Sequence, residues 1–347
     1  MVFYGAAPRK KRMKAYVCEK PGVIRVEERE SPKPGRGEVL LRVKCVGVCG
    51  SDVHWFKHGE ISGKVMRKPT VLGHEFSAVV EALGEGVENL EIGQKVVAEP
   101  GVPCGKCQMC FKGLYNLCTD MQFCGTPPTD GVFQEFYISP SRFVFPFQKM
   151  EFEEAALVEP VAIAIHTLNM CQMRPGLSVT VFGCGAVGLM AIQAAKALGA
   201  STVLGVDIQD SRLELARKLG ADAVVNTRHG PVTALADIVI ESTGAGPVPN
   251  LCLKAAAMGG KVGILGIPAV DTITIDPHTP RRRELTMIFV RRYRHCFPAA
   301  VNLCEQGRIQ LAPLVTHVFE VQRLQEALEF VADHPDQVVR AVIRVSA

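Results

Sequence analysis

No stretch of this chain is long and apolar enough to cross a bilayer, a span that takes about eighteen apolar residues. Nor does the chain open with the apolar core and small-residue cleavage pattern of a secretory leader. Residues 1–12 instead hold a short apolar start and then Arg9-Lys10-Lys11-Arg12. They read as a disordered basic extension before a first strand at Met13–Cys18, with a targeting or membrane-surface element as the alternative. An excess of charge of one sign is also lacking, with 39 basic against 35 acidic residues. A formal net charge of +4 gives no basis for a nucleic-acid partner. The 13 cysteines do not form a plausible disulfide framework, because the count is odd, four cluster in a metal pattern, and a chain of 347 residues needs no such scaffold. A reducing, cytoplasmic compartment is expected.

The length suits two domains, and 48% apolar residues provide for sizeable cores. The organising stretch runs from Cys49-Gly50-Ser51-Asp52-Val53-His54-Trp55 to Gly73-His74-Glu75. Cys49, His74 and Glu75 offer a thiolate, an imidazole and a carboxylate, the ligand set of a catalytic zinc site with one position left open. Zinc there lowers the pKa of an alcohol oxygen, and the resulting alkoxide readily gives up hydride. A hydride acceptor should therefore bind elsewhere in the chain. Taken alone, the three residues are equally a buried small hydrophobe and two ordinary polar side chains.

Residues 13–100 read as short strands separated by Pro and Gly, which suggests a partly open barrel. Cys104-x2-Cys107-x2-Cys110-x7-Cys118 then places four thiols close together. Four thiolates satisfy a closed, structural zinc site. An iron–sulfur cluster is the rival reading, although no Cys-Pro follows the last cysteine. Val132–Ile138 is expected as a strand. Glu153–Leu157 is expected to start a helix that carries Val158-Glu159-Pro160 and is kinked at Pro160.

The strand pattern Leu177–Phe182 runs into Gly183-Cys184-Gly185-Ala186-Val187-Gly188 and then a helical stretch, Leu189–Leu198. A second strand, Thr202–Asp207, ends in an acid nineteen residues after Gly188. Strand, glycines, helix and acid in that order form a dinucleotide-binding fingerprint. Gly183 and Gly185 let the backbone approach a pyrophosphate, which the helix N-terminus binds. Asp207 can accept hydrogen bonds from ribose hydroxyls and repel a 2′-phosphate, which favours NAD over NADP. Further β/α alternation to about residue 290 predicts a doubly wound parallel sheet. The pattern changes after Tyr293, and the C-terminal part is expected to return to the first domain. The expected division is 13–161 with 295–347 as a zinc domain, and 162–294 as a dinucleotide domain inserted into it.

In this order the motifs resemble the zinc-dependent medium-chain dehydrogenases, and within them the sorbitol (polyol) dehydrogenase branch, over residues 13–345. The resemblance rests on Cys49–His54, Gly73-His74-Glu75, Ala98-Glu99-Pro100-Gly101, Cys124-Gly125-Thr126-Pro127-Pro128-x-Asp130-Gly131, Val158-Glu159-Pro160, the glycine fingerprint and Arg292-Tyr293. It implies an α/β chain in which a Rossmann sheet interrupts a GroES-like, partly open barrel. It also implies NAD and two zinc ions per chain, one catalytic and one structural, and a homotetramer.

The resemblance further implies Cys49, His74 and Glu75 as catalytic zinc ligands. Glu159 is implied near that metal, either as a ligand or holding its water. Ser51 and His54 join a proton route to solvent. Trp55, Phe123, Thr126, Arg292 and Tyr293 line the polyol site. The nucleotide site gains Val187, Gly188, Arg212, Leu265, Gly266, Ile267, Val290 and Arg292. Trp55 stands where mammalian members carry Tyr, so one hydroxyl contact to substrate is missing. The expected reaction is oxidation of a polyol such as sorbitol or xylitol at C2. Oxidation of another secondary alcohol (threonine or a butanediol) and a non-catalytic cofactor-binding protein are the alternatives.

Overall fold

The structure, a computed structural model, describes residues 12–346 except 62 and 269. Residues 1–11 of the basic extension lie outside the described residues, and Arg12 already begins the first strand, Arg12–Lys20. Contacts divide the chain into two compact units. One comprises residues up to Val102, Gln122–Ala156 and the chain from Val315; the other comprises Pro103–Met121 and Leu157–Leu314. Among the described residues no helix is long and apolar enough to cross a membrane.

The first unit is β-rich. Its main sheet runs in the order Val144–Pro146, Lys95–Ala98, Glu75–Leu83, Glu38–Gly47, Arg340–Arg344, Val315–Glu320, and Phe136–Pro140 also pairs with Glu38–Gly47. A smaller sheet joins Val23–Glu30, Arg12–Lys20 and Thr70–Val71. Glu38–Gly47 is the central strand, and its side chains alternate across the sheet, buried at Val39–Leu41 and Val43 while Arg42 stays exposed. Val39, Leu41 and Val43 enter the main core with Phe56, Phe76 and Phe133, while Leu40 packs with Met13 and Phe136. The C-terminal strand pairs here, with Ile343 opposite Val46.

The strand expected at Val132–Ile138 starts later, at Phe136. The backbone before it is already engaged: Gly131, Val132 and Phe133 donate to the carbonyls of Val71, Gly73 and Leu72. The segment 124–133 is thereby pressed against Leu72-Gly73-His74. Asp130 fastens it further, accepting from the Val71 amide at 2.8 Å and from Arg29 at 2.8 Å. Gly125 sits at φ 70 with no room for a side chain, since a Cβ would stand 2.5 Å from the Gly73 carbonyl oxygen. Gly125→Ala is expected to destabilise the protein by about 2–3 kcal/mol through strain and clash, read as a lower denaturation midpoint. An unchanged midpoint would contradict this packing.

The helix expected to be kinked at Pro160 is two helices. Phe152–Ala155 belongs to the first unit and Val158–Met170 to the second. Pro160 lies in the first turn of the new helix, where its missing N–H costs nothing because those donors have no intrahelical partner anyway.

The second unit carries a six-stranded sheet, every neighbouring pair parallel: Ala223–Asn226, Thr202–Asp207, Ser178–Phe182, Ala236–Glu241, Ala256–Ile264, Thr286–Phe289. Numbered along the chain from Ser178, that is 3-2-1-4-5-6, the doubly wound order whose reversal point binds dinucleotides. Strand interiors such as Val179, Val181, Val239 and Val262 are buried, as helix-covered parallel sheets require.

Candidate active site

Antiparallel pairing of Glu38–Gly47 with Glu75–Leu83 sets Gly47 opposite Glu75, so the end of one strand meets the start of the next. Cys49 follows the first strand and His74 precedes the second. Cys49 is also the N-cap of a helix, Gly50–His58, that closes at Gly59 in the left-handed region. The donor atoms of Cys49, His74 and Glu75 lie within 4.8 Å of one another. Glu75 is 1% exposed, and its Oε2 has no hydrogen-bond partner. A buried carboxylate oxygen left unpaired is costly, which makes Glu75 a candidate metal ligand. Sulfur, nitrogen and oxygen donors in this number fit a zinc ion with an open position.

Asp52, wholly buried, organises this cluster. Its carboxylate accepts from the Cys49 amide at 3.0 Å and the Gly73 amide at 3.1 Å, and lies 3.4 Å from His74 Nδ1. This directs Nε2 as the free ring nitrogen, the arrangement that fixes a ligating histidine. Burial works against a charged His74 imidazole, but the charges of Asp52 and then Cys49 overcome it and hold its pKa well above the ordinary histidine value. Asp52→Asn is expected to weaken zinc binding at this cluster by about 10–100-fold, read by chelator competition. Unaltered affinity would contradict Asp52's role.

The other first-unit residues separate by placement. The Phe123 ring lies 5.6 Å from the His74 ring. Thr126 follows at the turn where its amide donates to the Phe123 carbonyl at 3.0 Å. Ser51 is partly buried in the first turn of the helix, and His54 is exposed and packs on His58 with ring centroids 4.7 Å apart. Trp55 is buried in the main hydrophobic core.

In the second unit, the donor atoms of Cys104, Cys107, Cys110 and Cys118 also lie within 4.8 Å of one another. Cys107 Sγ is 3.5 Å from Cys110 Sγ and 3.9 Å from Cys118 Sγ. A tetrahedron with Zn–S bonds of about 2.3 Å has sulfurs about 3.8 Å apart. The set fits one closed zinc site, and all 13 cysteines are free of disulfides. Backbone amides of Cys110 and Thr119 bring the Cys107 thiol down to about 5, favouring the thiolate a metal needs.

The glycine loop leads from strand Ser178–Phe182 to helix Ala186–Ala197, with Gly185 as N-cap and open space beside it. Gly183, at φ 93, lies so close to Ser242 and Thr243 that a Cβ would clash. Asp207 accepts from the Cys184 amide at 2.7 Å, and from the amides of Ile208 at 2.7 Å and Gln209 at 3.0 Å. Oδ1 takes the last two of these bonds, and Oδ2, with one, keeps a lone pair for a further donor. Val187 and Arg212 are partly buried, and Gly188 is buried on the first helix. Leu265 and Gly266 donate to the Glu241 carbonyl, and Val290 to that of Ile264, while Ile267 is exposed.

Arg292 and Tyr293 follow the last parallel strand. Tyr293 is buried beside Phe297. Burial lowers the Arg292 guanidinium to about 10, with Arg291 adding to the drop and Tyr293, Glu159 and Cys118 opposing it. Glu159 is itself buried in the first turn of Val158–Met170.

Residues 35–149 match the alcohol dehydrogenase GroES-like domain, and 186–306 the zinc-binding dehydrogenase domain. Sorbitol dehydrogenase of Bacillus subtilis (strain 168) is 33% identical over 95% of this chain and 97% of its own. The chain belongs to the zinc-type alcohol dehydrogenase family. Among solved structures, an oxidoreductase of unknown specificity from Escherichia coli matches with a TM-score of 0.92, at 32% identity over 97% of this chain and 100% of that one. The 2R,3R-butanediol dehydrogenase of Bacillus subtilis matches with a TM-score of 0.86, at 30% identity over 96% and 99%.

Three residues of this dehydrogenase escaped the sequence reading. Asp52 was inside the first motif but carried no assigned role; its position three after the N-cap was the available signal. Arg340 places a guanidinium nitrogen 3.4 Å from Glu75 Oε1 and donates to the Val48 carbonyl at 2.9 Å. Nothing local in the sequence points to it. Glu241, buried at a strand end, accepts from the Thr243 amide at 2.7 Å and the Gly244 amide at 2.9 Å, fixing a turn where such sheets bind ligand.

Proposed function

We propose that this dehydrogenase oxidises a secondary hydroxyl of a polyol such as sorbitol or xylitol, at C2, with NAD as acceptor, giving the ketose. The observation that carries the reading is the convergence of Cys49, His74 and Glu75, with a buried glutamate oxygen lacking any hydrogen-bond partner. When bound, zinc supplies Lewis acidity that acidifies an alcohol, and the nicotinamide supplies the hydride acceptor. The chain's residues do the rest. Cys49, His74 and Glu75 would hold the zinc, with Asp52 and Arg340 orienting two of them. Phe123 gives an apolar wall beside His74. Ser51 and His54 are assigned to proton exit. Arg292 and Tyr293 are assigned to polyol hydroxyls, and Glu159 to the metal's surroundings. Four thiolates would hold the second zinc.

The free amides at the start of Ala186–Ala197 suit a diphosphate. Asp207 selects for NAD through ribose hydroxyls while tying the glycine loop to the second strand. Asp207→Ala is expected to lower the preference for NAD over NADP by about 10–100-fold, the worth of hydrogen bonds to a charged group, measured as the ratio of their dissociation constants. An unchanged ratio would remove the cofactor argument. A second reading, oxidation of a diol, is favoured by the likeness to butanediol dehydrogenase. Turnover with NAD across sorbitol, xylitol, 2,3-butanediol and threonine separates the two. Polyol turnover well above the rest supports the proposal, diol turnover replaces it, and none at all overturns both.

A further inference from the structure

Residues 290–296 cross from strand Thr286–Phe289 to helix Phe297–Glu305. Two non-glycine residues of this strap are left-handed: Arg292 at φ 51 and His295 at φ 54. Side chains hold that conformation only where their surroundings impose it. The surroundings here are the four-cysteine lobe. Asn116 is 4% exposed and lies in the turn Tyr115–Leu117, between Cys110 and Cys118. Its Nδ2 donates to the Arg291 carbonyl at 3.0 Å, and its Oδ1 accepts from the Arg294 guanidinium at 3.1 Å. The Tyr115 hydroxyl accepts from the His295 amide at 2.8 Å. The His295 ring meets the Tyr115 ring edge-on at 4.9 Å, with Nε2 3.2 Å from the Gly113 carbonyl oxygen.

The lobe thus grips the strap on both sides of Arg292-Tyr293, at Arg291 and at Arg294-His295. A staple that merely stabilised its own loop would need none of these contacts. We propose that Asn116 and Tyr115 are positioning residues, which pass the fixed geometry of the four-cysteine lobe to the strap that presents Arg292 and Tyr293. The lobe then governs substrate recognition as well as folding. The link to substrate rests on the polyol reading above; the hold on the strap does not.

The strap supplies its own reporter, because Arg291, Arg292 and Arg294 are trypsin sites. Asn116→Ala combined with Tyr115→Phe, in the zinc-loaded full chain, is compared with wild type by limited trypsin digestion with mass-spectrometric assignment of cuts. Zinc content and polyol kinetics are measured alongside. Asn116→Asp is the milder variant. It keeps the acceptor for Arg294, loses the donor to Arg291, and should fall between the other two. The expected result is unchanged zinc content, new cutting within 291–294, and a fall in kcat/KM for polyol of about 10²-fold, the cost of misplacing a binding group by about an ångström. No new cutting in either variant would overturn the hold on the strap and leave the polyol reading standing. New cutting with unchanged kcat/KM would overturn the link to substrate and remove Arg292 from the polyol site. If wild type turned over no polyol, the functional reading would fail, while digestion would still decide whether the lobe holds the strap.

Discussion

Cys49→Ser is expected to lower kcat/KM by about 10³-fold or more, the several kcal/mol that a Lewis acid supplies to the developing charge. The substitution is chosen to spare the fold. Cys49 is the N-cap of helix Gly50–His58, and serine is among the best N-caps. The amide of residue 49 would still reach Asp52, so His74 would keep its orientation. What changes is the ligand atom: a neutral hydroxyl oxygen replaces a thiolate. Dinucleotide binding, proposed for the second unit at the glycine loop and Asp207, should hold within about twofold of wild type, a change worth well under 1 kcal/mol. Activity kept above about a tenth of wild type, a loss under 1.4 kcal/mol, would show that the cluster is not the reaction's centre.

Arg340→Met should destabilise the protein by about 3–5 kcal/mol, the usual cost of stripping one partner from a buried ion pair. The two side chains are 7% and 1% exposed, so water cannot replace the lost guanidinium beside Glu75. The same guanidinium bonds the Val48 carbonyl, one residue before Cys49. Its loss would therefore loosen the entry to Cys49 as well as Glu75. Methionine retains much of the volume, so the effect would be electrostatic. Denaturant unfolding of protein stripped of the Cys49-site zinc, so that no metal offsets the Glu75 charge, gives the measurement, and a loss below about 1 kcal/mol, the scale of an exposed pair, would contradict the assignment. Arg340→Lys should recover part of the loss, since it restores the charge but not the planar fork.

The metal clusters were legible because their chemistry is local. Four cysteines within one loop and a His-Glu pair after glycine announce themselves by spacing. The nucleotide fold was legible because strand, glycines, helix and acid stand in sequence. Helix Gly50–His58 was not, because it is nine residues long, starts with glycine and serine, and buries only Asp52, Trp55 and Phe56. Its boundary signals, Asp52 near the cap and Gly59 after the end, were present but sat inside a motif read for its ligands. Arg340 was invisible for a different reason. The sheet brings Arg340–Arg344 beside Glu38–Gly47 from the far end of the chain, and no pattern around Arg340 says which carboxylate it meets. The late start of strand Phe136–Pro140 has the same origin: the amides of 131–133 were claimed by Val71–Gly73, a long-range pairing that β-propensity does not register.

The most direct test of the account is the zinc content of the purified wild-type chain, by elemental analysis alongside the protein concentration. Two clusters that each fit one ion predict two zincs per chain, one yielding to a mild chelator together with activity and one retained. A single zinc that stays while the protein is fully active would contradict the assignment of Cys49, His74 and Glu75 as the catalytic metal site.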